Sequence, residues 1–76
     1  MPTAFKKLDV RKLLSEGIEP FPHIRNMIDS LKPEEGLTII APFLPSPLIE
    51  RLKSEGFRCR PERQSDGSWV TQFWRE

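Results

Sequence analysis

The side chains of this 76-residue chain that could do chemistry fall into three groups. Asp9 and Arg11 stand two apart where the first apolar run ends. Glu19-Pro20-Phe21-Pro22-His23 sets a carboxylate and the only imidazole around two prolines. Cys59, the only thiol, lies between Arg58 and Arg60, with Gln72 and Trp74 following near the end. One Cys and one His leave too few soft ligands for a structural zinc site, so no metal is expected. There is no Gly-rich phosphate loop, no paired-carboxylate signature and no Ser/His/Asp arrangement, so neither catalytic residues nor a cofactor are assigned.

Each group has a structural reading beside a chemical one. Glu19, before Pro20 and Pro22, could bind a cation, but a carboxylate at a helix start ordinarily caps it and meets the positive end of its dipole. Anion binding there is weakened, because Pro20 and Pro22 remove N–H donors and Glu19 adds like charge. His23 could serve as an acid–base group or ligand, yet no second His or Cys stands at helical spacing, and a solvated His is the preferred reading. Asp9 and Arg11 could line a small polar site with Glu19. A salt bridge from Asp9 or Glu19 to Arg11, fixing the segment that follows, is preferred. Cys59 shares a strand face with Phe57, away from Arg58 and Arg60, and a buried thiol without a cationic neighbour is inert.

The elements that must hold these groups are punctuated by eight prolines. Residues 5–10 alternate Leu8 and Val10 against Lys7 and Asp9 and predict a first strand. Arg11 to Glu19 reads as a loop containing Gly17. Pro20 and Pro22 open a helix whose Ile24, Met27, Ile28 and Leu31 form one apolar stripe. The apolar run over 37–41 suits a strand with neighbours on both sides. Ser46 reads as an N-cap with Pro47 at the first helical position, Leu48, Ile49 and Leu52 form the apolar side, and Gly56 ends that helix. Residues 57–64 and 69–75 predict two strands joined by a turn at Ser65-Asp66-Gly67-Ser68. The order β-α-β-α-β-β predicts an α+β two-layer sandwich, a four-stranded mixed sheet with two helices on one face. The first two strands should be parallel. Pro61 sends the third strand to an edge, and the fourth then lies inside, antiparallel to it.

The turn decides which face of the last strand is buried. A two-residue loop pairs Cys59 with Trp74; a three-residue loop pairs Cys59 with Phe73, and the slip swaps every side chain between faces. The second is preferred because it buries Trp69, Thr71 and Phe73 and keeps the Gln72 amide away from the helices. Arg58, Arg60, Val70, Gln72 and Trp74 then share the open sheet face with Ile40 and Lys7. Arg interleaved with aromatics can anchor a partner or stack bases. Equally, Arg stems could merely shield Trp74 through cation–π attraction.

Composition bounds the partners. Apolar residues at 37% allow one thin core, and residues 1–76 read as a single domain. Twelve Lys and Arg against eleven Asp and Glu leave a net charge of +1, which steers neither nucleic acid nor membrane to the chain. No apolar run approaches a membrane span, no secretory signal is read at the start, and the lone Cys fits a reducing cytosol.

Leu8-Asp9-Val10-Arg11, Glu19-Pro20-Phe21-Pro22 and Leu31-Lys32-Pro33-Glu34-Glu35-Gly36-Leu37 together resemble the TusA/SirA family. The resemblance is closest to its uncharacterised branch, domains of unknown function with such an opening, and covers almost the whole chain. It implies a two-layer βαβαββ fold, which is also similar to the C-terminal domain of a translation initiation factor. In sulfur-carrier members a Cys-Pro-x-Pro motif opens the first helix, and its Cys passes on a persulfide sulfur. Pro20 and Pro22 match the Pro-x-Pro, but Glu19 stands where the Cys would be, and a carboxylate cannot carry a persulfide. The residues 11–18 also make a longer connection than the carrier pattern has. The leading expectation is a non-catalytic cytoplasmic module that binds a protein or small ligand, as a monomer or weak homodimer. The alternatives are a sulfur or redox carrier using Cys59, and RNA binding by the open sheet face.

Overall fold

Leu37, Ile39 and Ala41 alternate along β2 (Glu35–Ala41) and are almost completely buried, which places this strand at the centre of the protein. In the computed structural model, which describes residues 2–75, β2 pairs in parallel with β1 (Ala4–Asp9) and antiparallel with β4 (Trp69–Trp74). β4 pairs in turn with β3 (Arg58–Arg63), so the sheet order is β1-β2-β4-β3. The mixed sheet, the parallel first pair and the edge position of the Pro61 strand are as the sequence predicts. The helices are α1 (Val10–Ser15), α2 (Phe21–Ser30) and α3 (Ser46–Ser54). All three send apolar residues into one core with the inner residues of β2 and β4: Val10 from α1, Ile24 and Ile28 from α2, Ile49 and Leu52 from α3. The result is an α+β sandwich of two layers.

Two expectations are corrected. The first concerns residues 11–19, read as a loop: its first part is helix α1, and Val10 is that helix's first residue rather than the end of a strand. Asp9 supplies the cap, its Oδ1 accepting the Arg11 N–H at 3.0 Å. Six residues are too few for apolar periodicity to stand out, and the helix is held by burial of Val10 rather than by propensity. The second concerns Ser46, which does not cap α3. Pro45 occupies the cap position, Ser46 is the first helical residue, and Pro47 stands second.

The β3–β4 hairpin takes the three-residue register, with Cys59 opposite Phe73 and Arg60 opposite Gln72. Gly67 adopts a φ of +88°, and the Gln64 N–H donates to the Ser68 carbonyl at 2.8 Å across the closing turn. Phe73 and Thr71 are fully buried and Trp69 half-buried. The Thr71 hydroxyl has no partner among the described residues, a cost accepted so that β4 keeps its inner face against the helices.

On the opposite sheet face the Phe5 ring meets Trp74 edge-on at 6.3 Å. Gly36 makes that approach possible. A Cβ there would lie 2.5 Å from the Phe5 ring and 2.8 Å from the Phe73 carbonyl oxygen, and the latter is backbone that cannot give way. Gly36→Ala should therefore lower unfolding free energy by about 1–3 kcal/mol, the range for overpacking a filled site. Urea denaturation reads it, and an unchanged midpoint contradicts the crowding.

Candidate functional site

Because β1 and β2 run parallel, both chains leave the sheet at the same end. From there one path runs through α1 to α2 and the other through Pro42-Phe43-Leu44-Pro45 to α3. All the large apolar side chains found exposed among the described residues belong to these two paths: Leu14, Ile18, Phe21, Phe43 and Leu44, between 37% and 53% exposed. Between the openings of α2 and α3 lies a cleft of about 370 Å³. Val10, Ile24, Ile39 and Ala41 form its floor; Phe21, Phe43, Leu48 and three prolines, Pro20, Pro45 and Pro47, form its walls. Arg51 is the one charged lining residue.

The prolines decide the polarity of this cleft. A helix start ordinarily offers free N–H groups that favour an anion. In α2 the Phe21 N–H is directed to Glu19 Oε1 at 3.3 Å and Pro22 has none. In α3 the Ser46 N–H donates to the Leu44 carbonyl at 2.8 Å and Pro47 has none. Of the three N–H groups that each helix start would ordinarily leave free, only the third, on His23 and on Leu48, remains, so the mouth is poor in donors where two helix dipoles point.

Arg51 stands over the Phe21 ring at 5.8 Å. Its Nε donates to Glu55 Oε2 at 3.3 Å, and the same oxygen accepts from Arg25 Nη1 at 2.9 Å, while Arg25 Nη2 pairs with Asp29 at 2.9 Å. This chain of charges ties α2 to α3. The Arg25 hydrogen bond holds the Glu55 carboxyl below its usual range, with Arg51 adding to it.

The residues singled out in the sequence come to rest as follows. Asp9 and Arg11 are joined by two contacts, Nε to Oδ1 at 3.0 Å and Nη2 to Oδ2 at 2.8 Å, and Arg11 Nη1 lies 3.8 Å from Asp66. Glu19 faces its own helix start, Pro20 lines the cleft, and Pro22 and His23 are exposed in the first turn of α2. Arg58, Arg60, Gln72 and Trp74 share the sheet face turned from the helices, with Arg58 opposite Trp74 and Arg60 opposite Gln72. That face is less bare than its lack of helices suggests: Ile40 is 9% exposed, and Phe5, Val70, Gln72 and Trp74 are half-buried. The Trp74 Nε1 is out of reach of solvent and has no acceptor among the described residues. Cys59 is half-buried against the core, on the face opposite Arg58 and Arg60. Among the described residues no group of three or more His, Cys, Asp or Glu gathers as a metal site would require. No helix among them is long and apolar enough to cross a membrane.

The cleft itself was not read from the sequence. Its signal was present: Phe21 between Pro20 and Pro22, and Phe43-Leu44 between Pro42 and Pro45, are large apolar residues placed where no strand or helix buries them.

Fold and site define a small α+β domain with an apolar cleft at the carboxyl end of its parallel strand pair. Over residues 7–75 the chain matches the family described as "Uncharacterized conserved protein (DUF2249)", and it belongs to that family. No curated protein and no solved structure gives a significant match.

Two measurements follow. The Asp9 carboxyl is held below its ordinary range, first by the Arg11 side-chain hydrogen bond. A depressed folded-state pKa stabilises above the unfolded value and is lost as pH falls through the folded one, so this contribution fades progressively as pH drops below about 4. Asn caps a helix as well as Asp does. Asp9→Asn should thus leave the cap intact and flatten the acid limb of stability against pH, followed by urea melts; an unaltered acid limb contradicts the pairing. Cys59, half-buried, should react with a thiol reagent more slowly in the folded than in the unfolded protein, read by intact mass, and equal rates contradict its packing against the core.

Proposed function

We propose that this chain is a non-catalytic binding module whose recognition site is the cleft between the openings of α2 and α3. One observation carries the reading: two of the exposed large apolar side chains, Phe21 and Phe43, line that cleft, and a third, Leu44, adjoins Phe43 in the chain. Exposed apolar surface concentrated in this way costs solubility and marks interaction sites in soluble domains. The volume lies in the range of ligand-binding clefts, and the place matches the general preference for the carboxyl ends of parallel strands. The open sheet face is the weaker candidate, since Trp74 is packed against Phe5 and its indole nitrogen is inaccessible.

The kinship with the TusA/SirA family belongs to the same proposal. The position at which the carriers hold their Cys is Glu19, engaged here with the Phe21 N–H, while Cys59 packs against the core. Both placements favour binding over sulfur relay, and the near-neutral charge disfavours RNA.

Titration with the uncharged dye Nile red tests the site. Phe43→Ser removes the most exposed aromatic of the rim and should weaken the dye at least about tenfold, since an apolar side chain's contact is worth roughly 1.5–3 kcal/mol. Arg60→Glu, on the other sheet face, should leave the affinity unchanged. Loss with Arg60→Glu and not with Phe43→Ser would move the site to the sheet face.

A further inference from the structure

We infer that the occupant of the cleft is a segment of a partner protein that presents an apolar side chain with a carboxylate beside it, an inference that rests on the cleft being the binding site. The buried part of the occupant must be apolar. Val10, Ile24, Ile39 and Ala41 on the floor offer no polar side chain. At the helix openings the Phe21 and Ser46 N–H groups are directed elsewhere and Pro22 and Pro47 have none, which leaves one donor per helix, on His23 and Leu48, in place of three. A polar group forced into that floor would lose its water without a partner.

The rim argues for a macromolecule rather than a small ligand. Specific small-molecule sites add a few convergent polar groups to an apolar cavity. Here a single side chain, Arg51, can fill that role. Phe43 on the wall and Leu44 next to it, outside the lining, remain 53% and 39% exposed, so apolar surface continues past the cleft itself. A peptide segment lying across the two helix openings covers both, with its anchor in the cleft and its neighbours on the rim.

Arg51 supplies the second half of the recognition. It is the one charge at the cleft, and no carboxylate lines it. Its Nε shares Glu55 Oε2 with the closer Arg25, and its Nη1 and Nη2 have no partner among the described residues. A guanidinium so placed presents two parallel donors, the geometry that a carboxylate accepts. Its position over Phe21 sets that carboxylate at the edge of the apolar anchor.

Selection from a random dodecapeptide phage library on the immobilised protein tests the inference. Enriched peptides should carry Phe, Leu or Trp close to Asp or Glu. A synthetic peptide of the consensus should bind Arg51→Glu at least tenfold more weakly, and Arg51→Gln to a lesser degree. Lys53→Glu, the same charge change on α3 outside the cleft lining, should bind as the wild type does. Should Arg51→Glu not fold, Arg51→Gln carries the comparison, and its undiminished affinity would overturn the inference. Enriched peptides indifferent to acidic residues, or absent while Nile red still binds, would overturn the partner and leave the cleft. Failure of Nile red as well would overturn both. A dimer that Phe43→Ser disperses in sedimentation equilibrium would make a second copy the occupant, and co-pelleting with phosphatidylcholine–phosphatidylglycerol vesicles would make it a lipid surface; either overturns the acidic-peptide reading.

Discussion

The parallel pairing of β1 with β2 sets the position of everything else in this small protein. Parallel neighbours cannot be joined by a tight turn, so the chain must cross back over one face, and here it does so through α1 and α2. β2 then leaves the sheet at the same end as β1 and enters α3. Two connections and two helix openings therefore crowd one end of a thin sandwich. The cleft is the space they leave between them.

Prolines turn that space into an apolar one. Pro20, Pro22, Pro45 and Pro47 each occupy a cap or early helical position, where a missing N–H costs a helix least. Their collective effect is chemical as well as conformational. Helix starts that would ordinarily attract phosphate or carboxylate are stripped of most of their donors and walled with hydrocarbon, and Arg51 from the second turn of α3 is left to supply the charge. Its grip on Glu55, shared with Arg25, keeps the guanidinium at the rim.

The sheet's two faces are built differently. The helix side buries Leu37 and Ile39 of β2 with Thr71 and Phe73 of β4, the latter two opposite Pro61 and Cys59 in the three-residue hairpin register at Ser65-Asp66-Gly67. The far side is shielded by its own side chains, Phe5 edge-on to Trp74 above Gly36. That self-shielding weakens the case for Arg58, Arg60 and Trp74 as a docking surface, although composition alone favours it.

Local pattern sufficed for much of this. The apolar run of β2, the stripe Ile24-Met27-Ile28-Leu31, Pro61 at an edge and the cost of burying Gln72 are properties of neighbours in the chain, and they determine the sandwich, its strand order and its register. The Asp9–Arg11 pair was legible for the same reason, being two residues apart. Helix α1 was not, because six residues carry too short a period, and burial of Val10 against elements distant in sequence is what holds it. Nor was the cleft, whose floor draws on α1, α2 and β2 and whose walls come from the first residues of α2 and α3 and the segments that lead into them. Only the folded chain decided that Phe21 and Phe43, apolar residues stranded between prolines, line a common opening, because nothing local relates two segments that a parallel strand pair brings together.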